Sequence, residues 1–179
     1  INPMTPSNPP VFQADLYRQR RGQLAARIRE QSGSGIAILA TAPEQLTAVN
    51  VSTLPYPGVA TDYKPLVVAM LSLASGVGIV TENLYPGRFR YVEELRKLGA
   101  DITIDGHHAV VRGVGHLHGA SVIAPDIRAG ATLVVAGLAA SGITEVSDVF
   151  HIDRGYDDLV GRLASLGASI SRISGETSQ

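Results

Sequence analysis

The most constraining feature of this chain is a pattern that occurs twice after residue 46. The first copy reads Asp62-Tyr63-Lys64, an apolar stretch over residues 66–74, Ser75-Gly76, and a β-type run over residues 77–82. Arg88 follows, then an amphipathic stretch that ends in Leu98-Gly99-Ala100. The second copy reads Asp126-Ile127-Arg128, apolar residues 131–140, Ser141-Gly142, residues 143–147, Arg154, and a helical stretch ending in Leu166-Gly167-Ala168. The same kinds of feature recur in the same order, so the chain is built from stacked like units.

Each copy has a physical logic. Leu66, Val67, Val68, Met70, Leu71 and Leu73 leave almost no polar face, which predicts a helix buried on every side. Tyr91, Val92, Leu95 and Leu98 alternate at helical spacing with Glu93, Glu94, Arg96 and Lys97, which predicts a surface helix. Gly99 and Gly167 stand where a helix ends in the left-handed conformation. Residues 101–105 and 109–112 alternate around Gly106 as two strands of a hairpin. The unit is therefore strand, buried helix, strand, surface helix, strand, strand. Two such βαβαββ units are expected, over about residues 46–113 and 114–177, with helices inside and sheets outside. Two units alone would leave faces such as residues 66–73 uncovered, which predicts association.

The first 45 residues have another texture. Residues 1–11 are a lead rich in Pro, Ser and Asn, without the basic-then-apolar order of a signal peptide. Residues 12–45 read as a short helix-strand segment: a helix over 15–31, a Ser-Gly break, and a strand over 36–40. The arginines of that helix are flanked by Asp15 and Glu30 and lack interleaved aromatics, so they read as a solvated face.

Bulk properties exclude several functions. The 179 residues are 45% hydrophobic and 17% charged, enough to bury a core, and the net charge of −1 gives no general attraction to nucleic acid or anionic membrane. Without cysteine there is no disulfide, thiolate metal site or cysteine nucleophile among these residues. The longest apolar run is too short to span a bilayer, and a cytoplasmic location is expected. His107, His108, His116 and His118 invite a metal reading, but no further ligand falls at a convincing spacing and adjacent histidines on a strand face opposite ways. No metal and no cofactor is expected. Gly76-Val77-Gly78 is too short for a phosphate loop and no Lys-Ser/Thr follows it.

Taken alone, an Asp before a helix is most simply an N-cap, and an Arg after a strand a surface ion-pair partner. A resemblance changes that weighting. Leu54-Pro55-Tyr56-Pro57-Gly58, Thr61-Asp62, Thr81-Glu82-Asn83, Gly87-Arg88-Phe89, Asp126-Ile127-Arg128-Ala129 and His151-Ile152-Asp153-Arg154-Gly155-Tyr156 resemble the UDP-N-acetylglucosamine 1-carboxyvinyltransferase family. The resemblance runs from about residue 46 to about residue 176. It implies two similar globules, each an inside-out α/β barrel of three βαβαββ units, of which this chain would hold two. It implies enolpyruvyl transfer from phosphoenolpyruvate to the 3′-hydroxyl of UDP-N-acetylglucosamine, with release of phosphate.

Carried over by position, the resemblance makes Asp62 the general base that contacts the sugar hydroxyl, and Leu84 a backbone contact to the sugar nucleotide. Arg154 would bind phosphoenolpyruvate, Arg88 would line the same cleft, and Asp126 and Arg128 would support it. Guanidinium suits these roles because it stays charged and grips carboxylate or phosphate bidentately. The family also needs a first globule with a Lys-Asn pair, further arginines and a loop carrying a catalytic Cys or Asp. None of these is expected within residues 1–45, so an incomplete active site is expected, with a separate first globule or self-association to complete the fold. The sequence also allows a non-catalytic sugar-nucleotide-binding module. Residues 12–44 resemble instead the start of bacterial Xaa-Pro aminopeptidases, and a junction is expected near residues 44–46.

Overall fold

The computed structural model describes residues 47–55, 59–85 and 87–173. The lead over residues 1–11, the helix-strand segment over 12–45 and its aminopeptidase resemblance lie outside the described residues.

The first unit has the expected order. Strand β1 (Val51–Ser52) leads through a 3-10 turn at Thr61–Tyr63 into helix α1 (Lys64–Leu71). Strand β2 (Val77–Thr81), helix α2 (Tyr91–Lys97) and the hairpin β3 (Asp101–Asp105) and β4 (His108–Arg112) follow. The four strands form one sheet in the order β1-β2-β4-β3, with β1 parallel to β2 and the other pairs antiparallel. The hairpin register pairs Asp101 with Arg112 and Asp105 with His108. Ile102, Ala109 and Val111 therefore fall on the buried side, and Asp101, Thr103 and Arg112 face water.

Helix α2 behaves as its pattern predicts. Tyr91, Val92, Leu95 and Leu98 are buried, whereas Glu93, Arg96 and Lys97 are exposed. It ends at Gly99, whose φ of 93° is open to glycine at little cost. The second copy ends its last helix the same way, with Gly167 at φ 94°.

That second copy comprises strand β5 (Ser121–Ile123), helix α3 (Ile127–Ala139), strand β6 (Glu145–Ser147), and helices α4 (Phe150–Asp153) and α5 (Leu159–Ser165). Strands β5 and β6 pair in parallel, as β1 and β2 do. The expected closing hairpin is not formed among the described residues. Residues 168–173 lie beyond α5 without ladder partners, and a strand without a partner leaves its backbone groups unpaired. Among the described residues the second unit therefore shows βαβα, against βαβαββ in the first.

The two units meet through helices. α1 and α3 pack on one another, and α2 and α4 also pack on α3. Gly155 permits the last contact, since a Cβ there would lie 2.5 Å from Ile127 Cγ2. Val68, Leu71, Leu95, Leu117, Ala129 and Leu133 form the shared core, so the helices are indeed inside and the sheets outside. α1 is not buried on every side, however. Val68, Ala69 and Leu71 face α3 and the sheet, whereas Met70 is 39% exposed and Leu66 and Val67 are half-buried. On α3, Val135 and Leu138 are exposed too. Two helices cover only part of each other's circumference, which explains the difference. Among the described residues no helix is long and apolar enough to cross a membrane.

Candidate active site

The site is built on a buried ion pair that carries no functional mark in the sequence. Lys64, first residue of α1, and Glu82, just after β2, both have fully buried side chains and meet at 2.7 Å. Glu82 Oε2 also accepts from Thr61 Oγ1 at 2.7 Å. Its Oε1 accepts from Thr53 Oγ1 at 2.7 Å and from the backbone N–H groups of Leu84 and Tyr85 at 2.8 and 3.1 Å. Burial alone would raise this carboxyl group, but hydrogen bonds from Lys64, Thr61, Thr53 and the Leu84 amide outweigh it and hold the pKa at about 2.

Lys64 is satisfied in turn. Its ammonium donates to the Arg88 carbonyl at 2.7 Å and sits 4.1 Å from the centre of the Phe89 ring. Burial pulls its pKa below the usual lysine value, and Glu82 opposes that pull. Thr53 completes the arrangement: its hydroxyl accepts from Asn83 N at 3.0 Å and its carbonyl from Asn83 Nδ2 at 3.2 Å. One carboxylate and one ammonium thus tie the end of β1, the 3-10 turn and the loop after β2 into a single body. Nearby, the Tyr91 hydroxyl is buried without a hydrogen-bond partner among the described residues, and desolvation, with Glu82 and Asp126 adding to it, pushes its pKa far above the phenol range.

Above this floor lies an open cleft of about 640 Å³, lined by Leu54, Ala60, Asp62, Leu84, Tyr85 and Arg88 among others. Asp62 is half-exposed and lies between two cations, Arg88 Nη1 at 3.4 Å and Arg128 Nε at 3.3 Å. The second of these comes from the other repeat. Arg128 is itself held up in pKa, first by a hydrogen bond with Tyr156 and then by Asp62, and its guanidinium lies 5.9 Å from the Tyr156 ring centre.

The structure brings Asp62, Leu84, Arg88 and Arg128 together at one edge of the fold. Asp126 plays a different part, since its carboxylate accepts from Ala129 N at 2.8 Å and caps α3. Asp62 makes no such cap, so the two equivalent aspartates have diverged. Arg154 stands exposed at the C-terminal end of α4 and does not line the cleft.

The histidines differ from expectation in one respect. His107 lies in the turn rather than on the strand, so its ring lies 4.0 Å from that of His108, tilted by 38°, instead of facing the opposite side. The His108 ring also hydrogen-bonds to Thr81 Oγ1 at 2.9 Å.

Sequence reasoning missed Lys64 and Glu82. Both stood inside quoted motifs, but nothing in the sequence shows that residues eighteen apart across a helix and a strand share one buried contact. The only available signal was Glu82 at the end of a strand whose other residues are apolar or small.

A repeat-built α/β unit with helices inside, sheets outside and a carboxylate between arginines at its edge defines a domain of the enolpyruvyl-transferase class. The model of the family described as EPSP synthase (3-phosphoshikimate 1-carboxyvinyltransferase) matches residues 10–163, and the chain belongs to this family. Among curated relatives, a UDP-N-acetylglucosamine 1-carboxyvinyltransferase of Nocardia farcinica is 54% identical over 133 residues, which are 74% of this chain and 31% of the relative. One of Mycobacterium bovis is 58% identical over 130 residues, 73% of this chain and 31% of that protein. The crystal structure of the enolpyruvyl transferase NikO from Streptomyces tendae aligns with a TM-score of 0.65 at 33% identity, covering 69% of this chain and 29% of that one. The chain therefore spans about 31% of the length of the curated relatives it matches.

Proposed function

We propose that this chain supplies one wall of a UDP-N-acetylglucosamine 1-carboxyvinyltransferase active site. The observation that carries the reading is Asp62, half-exposed at the cleft and held between Arg88 and Arg128. Identity of 54–58% to relatives of that name supports the choice of substrate pair. In this reading the sugar 3′-hydroxyl sits against Asp62, which takes its proton as the oxygen bonds to the enolpyruvyl carbon. The carbon–oxygen bond to phosphate breaks and phosphate leaves with the electron pair. Arg88 stabilises the charge that develops on the phosphate, and Arg154, which stands outside the cleft lining, is assigned phosphoenolpyruvate by resemblance alone. The backbone at Leu84 holds the nucleotide, and Asp126 and Arg128 keep the wall in shape. No metal or cofactor enters the reaction.

The rest of the protein's role follows from this reading: a cytoplasmic transferase in peptidoglycan synthesis, and so in cell shape and division, acting on phosphoenolpyruvate and UDP-N-acetylglucosamine. The exposed Met70, Val135 and Leu138 support contact with a first globule or with another copy. Because the chain spans 31% of its relatives, a second reading has its own support: a sugar-nucleotide-binding or assembly module without turnover, from a fragment or fusion.

The test is phosphate release by the full chain given both substrates, with Asp62→Asn and Arg154→Ala alongside. Release lost in both variants would establish the transferase wall as sufficient. Sugar-nucleotide binding without release would favour the module. Neither release nor binding would overturn the assignment of this cleft.

A further inference from the structure

We propose that Lys64 and Glu82 are positioning residues for the cleft, acting through the backbone they hold rather than by touching substrate. The inference rests on the reading of the cleft given above. It starts from geometry: the pair is fully buried, yet most of what it grips belongs to the cleft wall. Glu82 fixes the amides of Leu84 and Tyr85, and Lys64 fixes the carbonyl of Arg88. Leu84, Tyr85 and Arg88 all line the cleft, and Arg88 in turn reaches Asp62. Thr61, a further Glu82 donor, immediately precedes Asp62.

Both sides of the Asp62–Arg88 contact are therefore referenced to one carboxylate–ammonium pair. The contact itself is exposed and spans 3.4 Å, so it is too weak to set its own geometry. The buried pair is the stiff part. A solvated loop held by surface charges would sample many arrangements; a loop whose amides end on a desolvated carboxylate has few. Pre-organisation of this kind raises affinity without adding a contact to the ligand.

Two variants separate positioning from plain stability. Lys64→Met removes both hydrogen bonds and leaves an apolar stem of similar length. Lys64→Gln keeps two N–H donors, enough for Glu82 and the Arg88 carbonyl, without the charge.

The first measurement is amide hydrogen exchange on the full chain, comparing Leu84 and Tyr85 with Val80 and Val111 in the sheet. Lys64→Met is expected to speed exchange at Leu84 and Tyr85 at least roughly tenfold more than at Val80 and Val111, the scale of one lost hydrogen bond. Equal acceleration at all four would overturn the proposal, because it would show global loosening only.

The second measurement is calorimetric binding of UDP-N-acetylglucosamine at a temperature where each variant is fully folded. Lys64→Met is expected to weaken binding about tenfold or more, and Lys64→Gln to restore it to within about threefold of the native chain. Unchanged affinity in Lys64→Met would overturn the proposal. If the native chain itself fails to bind, the reading of the cleft fails, and the exchange pattern alone decides whether the pair orders this loop.

Discussion

Replacing Lys64 by methionine gives the sharpest test of the energetics. In the native chain Glu82 is ionised to about pH 2, against an ordinary value of 4.5. A carboxyl group with a depressed folded-state pKa stabilises the fold above its unfolded pKa, and the contribution is lost as pH falls through the folded one. The window is therefore about pH 4.5 down to about 2, and the depression corresponds to about 3 kcal/mol. Lys64→Met removes the largest of the hydrogen bonds that lower this pKa and leaves a buried carboxylate with two hydroxyl and two amide donors. Removing one partner of a buried pair costs about 3–5 kcal/mol, and the remaining donors place this case near the lower end. Urea unfolding followed by far-ultraviolet circular dichroism, repeated from pH 7 to pH 2.5, measures both effects. The variant should lose about 3 kcal/mol at pH 7 and show a shallower acid limb that still begins near pH 4.5 but is complete at a higher pH. Adding Glu82→Gln should recover part of the loss, because the uncompensated charge is gone. A single variant within about 1 kcal/mol of the native chain, with a superimposable acid limb, would refute the claim that the pair holds the loop.

Gly99→Ala and Gly167→Ala share the left-handed backbone, but only the first puts a Cβ 2.6 Å from the His118 ring, whereas the second meets nothing. Thermal melting should give about 1 kcal/mol for Gly167→Ala and clearly more for Gly99→Ala. Asp126→Ala removes the cap on α3 and should cost about 1 kcal/mol in urea unfolding. Arg128→Gln breaks an exposed pair with Asp62 and should change the unfolding free energy by less than about 1 kcal/mol, so any larger loss in binding would report on the cleft.

What the sequence made legible was whatever repeats or alternates. The order of elements in the first unit, the buried face of α2, the hairpin around Gly106 and the glycine ends at Gly99 and Gly167 follow from local pattern and local sterics. The closing hairpin of the second unit was expected by analogy, and the residues that would complete it run past those the structure describes. Asp62, Leu84, Arg88 and Arg128 were named through resemblance, and the fold gathers them. The electrostatic floor was illegible for a reason the repeat itself supplies. In register, Lys64 corresponds to Arg128 and Asp62 to Asp126, yet the four side chains do four things. Lys64 is buried on Glu82, Arg128 reaches across to Asp62, Asp126 caps its helix, and Asp62 faces the cleft.

Glu82 matches Asp148 in the second copy, which is exposed and takes a φ of 55°. A shorter carboxylate in that backbone has no buried ammonium to meet, because the second copy's basic residue is already turned towards the first. The asymmetry is therefore coupled. Burying the basic side chain in the first copy leaves Asp62 free of it, and turning the second copy's arginine outward gives Asp62 a partner at the cleft. An Asp-x-basic motif read twice in a sequence cannot show this division. It is decided by which copy has a long carboxylate at the end of its second strand, within reach of the start of its own first helix.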